Sequence, residues 1–371
     1  MPNILYVTLV DCLNDLGVFK KIESQKKAME SYGYNVDMTW FNGNELLLNG
    51  NVIESINRNI FYKFFSRFTY PTALSDISNR NDYDIVYIRK SHINKPFINF
   101  LKLNREQGRK VYLEIPTYPY VRELSGLLKK ILYINEAFFS FFLKNFIDSI
   151  FYFGEAKGDI WGIRSIQLEN GVTIERLESN RTIVKSPTDV VSFLGIANIS
   201  KWHGYDRVLV SIDEYLSKRT EVDKDIIFHI VGEGSELETL KKIVDNLNLH
   251  DNVVFHGLKY GHELDDIYAR VDIAIDAMAM FRKGMNQTSS LKTREYCARG
   301  IPFITACNDK SFPSHLDFRL QLPNDETHIN FLKVLAWYKN LDSNSYDISK
   351  YAYERLTWNK MMLKVKSEFQ K

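Results

Sequence analysis

The sequence predicts an α/β protein built from two Rossmann-like domains. Three observations carry this expectation. Short apolar runs alternate with amphipathic segments of helical period from Ile4 onward. A polar stretch, Glu175 to Asp189, interrupts the pattern, and Val190 restarts it. The length of 371 residues suits about two domains. Strands alternating with helices imply right-handed crossovers and parallel sheets.

Element by element, Ile4–Val10 is a buried strand, and Asp11–Gly17 is a turn. An amphipathic helix follows from about Val18 to Ser31, and Asn35–Trp40 is the second strand. The turn holds Gly17 but no G-x-G-x-x-G, so a dinucleotide fingerprint is absent and an NAD oxidoreductase is disfavoured. Gly17 lies at the carboxyl edge of the sheet, where such folds bind ligands and where glycine admits close backbone approach; a simple tight turn is the plainer explanation. Asp84–Arg89 and Lys110–Ile115 are further strands, separated by a helix from about Pro96 to Gln107. The loop Pro116-Thr117-Tyr118-Pro119-Tyr120 leaves the second of these at the same edge. Glu114, Thr117 and Tyr118 are therefore candidates to line a site, although two prolines also suit a plain turn. Ile147–Phe153 is a strand, and Asn170-Gly171 is a turn.

The second half repeats the plan. Val190–Gly195 and Asp225–Val231 are strands, the latter ending in Gly232-Glu233-Gly234. A helix runs from about Tyr205 to Lys218. Another runs from Ser235 to Leu247, with Ser235 as expected N-cap and Glu238 completing a capping box. Val253–Phe255 and Asp272–Asp276 are short strands, with a helix near Glu263–Ala269 between them. The last helix spans about Trp358–Phe369.

The chemistry concentrates in Gly284–Thr305, GMNQTSSLKTREYCARGIPFIT. A small polar loop leads into a helix over Leu291–Arg299. Ser290 is the expected N-cap, its hydroxyl accepting from a first-turn amide. Gly300 is the expected left-handed residue beyond the last turn, with Pro302 after it. Lys292 and Arg294 sit at the positive end of the helix dipole, and Arg282 and Lys283 lie just upstream. That combination favours an anion, most naturally a phosphate. Glu295, one turn in, can accept from two adjacent hydroxyls such as those of a ribose. A capped surface helix with solvated charges is the plainer alternative.

Composition narrows the classes. Hydrophobic content of 45% and charged content of 25% are ordinary for a globular chain. A net charge of +2 gives no argument for nucleic acid. Cys12, Cys297 and Cys307 have neither metal-ligand spacing nor a disulfide framework, which fits a reducing cytoplasm. Met1-Pro2-Asn3 runs straight into a strand, so no signal peptide is expected. No apolar run reaches the ~20 residues of a membrane-spanning helix.

In order, the second half carries Phe193-Leu194-Gly195, His203-Gly204-Tyr205-Asp206-Arg207, Ile230-Val231-Gly232-Glu233-Gly234, Val253-Val254-Phe255-His256-Gly257, Ser290-Leu291-Lys292, Glu295-Tyr296 and Gly300-Ile301-Pro302. This set resembles the C-terminal domain of retaining glycosyltransferases of family 4, which have the GT-B fold. The first half resembles them by topology only. The resemblance implies two Rossmann-like domains facing across a cleft. Residues 1–180 would form an acceptor-binding domain and 181–354 a nucleotide-sugar-binding domain. Residues 355–371 would form a helix returning to the N-terminal domain. It also implies transfer of a sugar from a nucleoside-diphosphate sugar to a glycan or lipid-linked glycan acceptor, with no cofactor and no metal. That is chemistry of the kind used in bacterial capsule or other surface-polysaccharide synthesis.

Residue by residue, Glu295 matches the second glutamate of the family's E-x7-E motif, which holds the ribose. Gln287 occupies the first glutamate position and can hydrogen-bond but not supply a negative charge. Ser289, Ser290, Leu291 and Lys292 fall at the diphosphate, with Leu291 in place of the proline of the family's S-P-L-K variant. Ile196 stands in the slot of a conserved-type arginine, and His203-Gly204 stands in the Lys-Gly slot. His203 would meet phosphate, protonated beside the anion, or Lys201 would take over. Arg282 and Lys283 would add positive charge, Gly232 would border the donor, and Tyr260 or Leu258 would pack on the base. On the acceptor side, Asp15, Glu114, Thr117 and Tyr118 are the candidates.

Two stretches of the first half, Asn57–Phe68 and Leu127–Phe146, mix aromatics with lysines and arginines. Such composition suits a helix lying on an anionic membrane surface, and equally an aromatic core helix with solvated lysines. The expected location is cytoplasmic, peripheral on the inner face of the membrane if the first explanation holds. The substitutions at 287 and 196 also admit a nucleotide-binding protein without turnover, and the two-domain plan admits a nucleotide-sugar epimerase.

Overall fold

The computed structural model describes residues 1–57, 69–119, 127–174, 189–220 and 223–371. The linker at 175–188, Tyr120, and the aromatic and basic stretch beyond Asn57 lie outside these residues. The chain forms two compact units, Met1–Glu169 with Trp358–Lys371, and Asn170–Thr357.

The first unit is a sheet of order β4-β3-β2-β1-β5-β6-β7-β8. Its strands are β1 (Asn3–Val7), β2 (Asn35–Asn42), β3 (Glu45–Leu48), β4 (Asn51–Ser55), β5 (Ile85–Arg89), β6 (Lys110–Tyr118), β7 (Ser149–Gly154) and β8 (Ser165–Leu168). Helices α1 (Leu16–Ser31), α2 (Thr72–Arg80), α3 (Lys95–Glu106) and α4 (Leu127–Ser140) connect them. The pairings are parallel apart from the hairpin β2-β3-β4. That hairpin turns on Asn49 and Gly50, both at positive φ (50° and 91°), the geometry an Asn-Gly loop supplies. Helix α1 begins two residues earlier than its periodicity suggests. Gly17 is therefore in its first turn rather than in a tight turn, and a Cβ there would meet nothing within 4 Å.

The expected C-terminal helix is two pieces, α11 (Trp358–Met361) and α12 (Leu363–Phe369). Both belong to the first unit. Phe369 packs edge-on to Tyr34 and Tyr87, at ring distances of 5.7 and 5.9 Å, and lies 4.8 Å from Tyr112. The Glu368 carboxylate accepts from Ser149 Oγ at 2.8 Å and Arg164 Nε at 3.1 Å.

The second unit has sheet order β11-β10-β9-β12-β13-β14, with every pairing parallel. Its strands are β9 (Val190–Ile196), β10 (Asp225–Val231), β11 (Val253–Gly257), β12 (Ile273–Ile275), β13 (Phe303–Thr305) and β14 (Arg319–Gln321). Its helices are α5 (Tyr205–Lys218), α6 (Leu237–Leu247), α7 (Gly261–Tyr268), α8 (Leu291–Ala298), α9 (Phe331–Lys339) and α10 (Ser345–Arg355). The chain reverses direction across the sheet between β9 and β12, so the loops after these two strands flank the switch point where such sheets bind ligands.

Two local expectations change. Helix α6 starts at Leu237 with Glu236 at the N-cap, and no side chain caps it. Ser235 is displaced because backbone bonds do the work: Leu237 N donates to Gly234 O, and Glu236 N to Ile199 O. The second unit also starts at Asn170, ahead of the polar linker. Asn170 N donates to Ser289 Oγ at 2.7 Å, and Val172 N donates to Leu356 O at 2.9 Å.

Candidate functional site

The loop after β9 closes as a short 3-10 turn, Lys201–His203, and Gly204 follows at φ 65°. His203 O accepts from Met278 N, and Trp202 O from Ala279 N, at 2.9 and 3.2 Å. These bonds lace the loop after β9 to the loop after β12. A third loop joins them at Gly232, whose φ of 121° and close approach require glycine: a Cβ would fall 1.9 Å from Ala197 O. Backbone thus brings together the carboxyl ends of β9, β10 and β12, as close packing with few side-chain obstructions demands.

Lys292 and Asp276 form the charged centre. Asp276 follows β12 and is 2% exposed; its Oδ2 accepts from Thr305 Oγ1 at 3.1 Å. Lys292 Nζ stands 3.6 Å from Asp276 Oδ1, and neither atom makes a hydrogen bond. The buried Tyr205 hydroxyl is likewise without a partner, and the Asp276 charge helps raise its pKa. Burial lowers the Lys292 pKa, and Asp276 opposes the shift. The ammonium is therefore ion-paired with Asp276 but makes no hydrogen bond, and a buried donor left in that state favours a further acceptor such as a phosphate oxygen.

Helix α8 presents its start without a side-chain cap. Ser290 is at the N-cap as expected, but its hydroxyl makes no capping bond. Its carbonyl accepts instead from Thr293 Oγ1 and Arg294 NH1, at 2.9 and 3.1 Å. Ser289 is used structurally, accepting from Asn170 N. Leu291 is half-buried at the first helical position, and Gln287 is half-buried, its backbone bridged to Asn308. Gly300 ends the helix at φ 67°, as the sequence requires.

Several expected cations are committed elsewhere. Arg294 is fully buried and turned inward. It is paired bidentately with Asp309, bonded to Ser311 Oγ at 2.7 Å and Asn170 O at 3.0 Å, and 5.2 Å from the Phe312 ring. Arg282 is held by Asp206 and Glu326, with contacts of 2.7–2.9 Å, and by Lys201 O. Those two carboxylates neutralise it, so it adds no net positive charge for a diphosphate. Lys201 is exposed, and Lys283 Nζ lies 3.7 Å over the Trp202 ring.

His203 is neutral rather than protonated. Its Nδ1 accepts from Ser200 N at 3.0 Å, which leaves the ring proton on Nε2. Burial, then Lys292 and Lys283, push its pKa down to about 2. The same influence shows that His203, Lys292 and Lys283 are neighbours.

Glu295 is exposed on α8 and accepts from Tyr268 OH at 3.2 Å. Tyr268 is 1% exposed, with the Arg299 guanidinium 4.1 Å over its ring. Tyr260 and Leu258 are exposed at 55% and 49% before α7. Sequence reasoning missed Asp276 as the partner of Lys292 and Tyr268 as the partner of Glu295. For Asp276 a signal existed, a carboxylate ending a buried strand; for Tyr268 there was none.

The acceptor-side candidates lie in the first unit. Asp15 is exposed at the N-cap of α1 without a capping bond, and Thr117 and Tyr118 are half-buried at the end of β6. Glu114 is fully buried, accepting from Gln25 Nε2 and Tyr87 OH at 2.7 and 2.8 Å and paired with Arg89. Burial would raise its pKa, but Arg89, Lys21 and these hydrogen bonds outweigh it and hold the group ionised. Every strong partner of Glu114 is internal, so it is an anchor of the core rather than a group facing an acceptor. Lys21 lies 3.3 Å over the Phe153 ring, its pKa pulled down to about 7 by burial.

Residues 178–314 match the family model of Glycosyl transferases group 1. The whole chain resembles solved structures of GT-B type. One is a sucrose-phosphate synthase from Thermosynechococcus elongatus, 11% identical, with TM-score 0.65 and coverage of 100% of this chain and 98% of that one. Another is HepE from Anabaena solved with UDP, 12% identical, with TM-score 0.62 and full coverage of both chains. Fold and matched domain define the class: the chain has the GT-B fold, and its second unit carries a domain of the Glycosyl transferases group 1 type. A curated relative, an uncharacterised glycosyltransferase of Methanocaldococcus jannaschii, is 24% identical over 241 residues. That match spans 59% of this chain and 57% of the relative's length.

Proposed function

We propose that this chain is a retaining glycosyltransferase of the family 4 type. It would transfer a sugar from a nucleoside-diphosphate sugar to a glycan or lipid-linked glycan acceptor in surface-polysaccharide synthesis. The observation that carries the reading is the Lys292 ammonium, buried, without a hydrogen bond, and beside a helix start with no side-chain cap. Such a place suits the diphosphate of a donor. The complex of the structurally similar HepE with UDP supports a nucleoside diphosphate as the ligand class.

In this reading Lys292 and the first amides of α8 meet the diphosphate, and the neutral His203 donates through Nε2. Glu295 accepts from the ribose hydroxyls, and Gln287 hydrogen-bonds the sugar. As the bond from the anomeric carbon to the diphosphate breaks, charge collects on the leaving oxygen, where fixed donors stabilise it. The acceptor oxygen bonds the same face of that carbon, and its proton passes to a diphosphate oxygen. No side chain serves as nucleophile, and the reading calls for no metal or cofactor. A lipid-linked acceptor would place the protein on the cytoplasmic face of a membrane.

The test is a thermal-shift panel of UDP, GDP, ADP and CMP with their sugar conjugates, followed by donor turnover with candidate acceptors. One diphosphate at ~100 times its dissociation constant should add ~2.7 kcal/mol. Lys292→Ala should weaken its binding by ~1.5–3 kcal/mol, the worth of a charged hydrogen bond. Unchanged affinity in that variant would refute the placement of the diphosphate. Binding without turnover across acceptors would favour a nucleotide-binding protein, and donor isomerisation alone would favour an epimerase.

A further inference from the structure

The edge strand of the second sheet carries a bulge that aims one histidine at another. Strand β11 is outermost, with β10 as its neighbour. Ile230 stands opposite Phe255 and Val231 opposite Gly257, so His256 is an extra residue between two paired ones. Such a bulge bends an edge strand and re-aims the side chain it carries. Gly257 follows at φ 65°. On β10, Phe228 and Ile230 enter the core, and His229 between them takes the opposite face. The result is a contact of 3.0 Å between His229 Nδ1 and His256 Nε2, with ring centres 5.2 Å apart.

Both rings are half-buried and neutral. Burial and the neighbouring His256 push the His229 pKa down to about 4, and burial with Lys259 lowers that of His256. A neutral pair makes this contact with one ring donating and the other accepting. The outer nitrogens, His229 Nε2 and His256 Nδ1, have no hydrogen-bond partner among the described residues. When the donating ring carries its proton on its outer nitrogen instead, a slight turn of the two rings brings both inner lone pairs to one point. Two imidazole nitrogens bound to one ion at ~2.1 Å stand ~3.0 Å apart at a right angle and ~3.4 Å apart at the tetrahedral angle. The observed spacing is that of two adjacent ligands.

We propose that His229 and His256 form a two-histidine chelate for a divalent transition-metal ion such as Zn²⁺, Ni²⁺ or Cu²⁺. Imidazole ligands select this class over Mg²⁺ and Ca²⁺, which take oxygen. No third histidine, cysteine or carboxylate joins the pair among the described residues, so water fills the remaining positions. Binding releases no proton, since the displaced one stays on the outer nitrogen. Lys259 is paired with Glu263, which limits its repulsion of the ion. Ligation ties the edge strand to its neighbour at the bulge, where the ladder is interrupted. The ion takes no part in glycosyl transfer, and the site uses none of the residues placed at the diphosphate or the ribose.

The experiment is titration of the full, untagged chain with Zn²⁺ by calorimetry, alongside Cu²⁺ read by electron paramagnetic resonance. One ion should bind per chain, the copper signal should be split by two imidazole nitrogens, and excess Mg²⁺ should not compete. His229→Gln and His256→Gln should each weaken Zn²⁺ binding at least about tenfold, the least that losing even an outer partner of a metal ligand costs. Unchanged melting temperatures without metal establish that the variants are folded. Equal Zn²⁺ affinity in parent and variants, a copper signal without coupling to two nitrogens, or displacement by Mg²⁺ would each overturn the proposal. The copper signal is read on the parent protein, so it decides even where a variant unfolds. UDP binding is measured separately, so failure of the donor reading and failure of this one are distinguishable.

Discussion

Replacing Arg294 with Met tests how the helix start is held. The guanidinium is fully buried and bonds Asp309 bidentately, Ser311, Ser290 O and Asn170 O. Arg294→Met leaves the Asp309 carboxylate, 9% exposed, with Ser311 N as a remaining donor at 3.0 Å. Breaking one side of a buried ion pair costs ~3–5 kcal/mol. For a unit of this size that is a fall of about 6–20 °C in melting temperature, at roughly 2–4 °C per kcal/mol. Calorimetry would measure it, with amide exchange along α8 assigning the transition to the second unit. Adding Asp309→Leu should recover much of the loss, because an apolar pair removes the stranded charge along with its partner. A fall below about 3 °C in the single variant would refute the reasoning. A double variant no more stable than the single one would show that the other four residues bonded to Arg294, namely Asn170, Ser290, Thr293 and Ser311, carry the energy rather than the ion pair.

Tyr268→Phe removes the hydrogen bond to Glu295 and should cost ~1 kcal/mol of nucleoside-diphosphate affinity, about fivefold, by calorimetry. A 2′,3′-dideoxy analogue should bind the variant and the parent protein alike, since it lacks the hydroxyls Glu295 would orient on. His203 gives a pH dependence of known sign. Its folded pKa of about 2 lies below the ordinary ~6.5, so the unfolded chain binds the extra proton and stability falls as pH drops below ~6.5. His203→Asn, which keeps an acceptor near Nδ1, should flatten urea-derived stability between pH 6.5 and 4 by up to ~1.4 kcal/mol per pH unit. Parallel curves for parent and variant would contradict the neutral buried assignment.

Much of the architecture was legible because it rests on local rules. The alternation of apolar runs and amphipathic helices predicts both parallel sheets, and Gly300 followed by Pro302 predicts the end of α8. The hairpin at Asn49-Gly50 follows from the same kind of local rule, because both turn residues tolerate positive φ. The site was less legible because its polar residues are sorted by distant partners. Arg294 and Glu295 are adjacent and both polar, yet one is buried and the other exposed. Asp309 and Ser311, beyond the next strand, make that choice. Arg282 looked like a free cation, but Asp206 and Glu326, 76 and 44 positions away, consume it. The protonated form expected of His203 fails because Ser200 N fixes its Nδ1 as an acceptor, and a turn of that detail leaves no periodic trace.

The path of the chain has a consequence for dissecting the molecule. The second unit enters at Asn170 and leaves at Thr357, and Val172 pairs with Thr357 as neighbours in a bridge. The second unit is therefore an insertion within the first, with its two ends side by side. Cutting the gene after codon 357 would strip no secondary structure from the unit just finished. It would deprive the amino-terminal sheet of Phe369 and Glu368 instead, so a truncation at one end of the polypeptide acts as a lesion in the fold begun at the other.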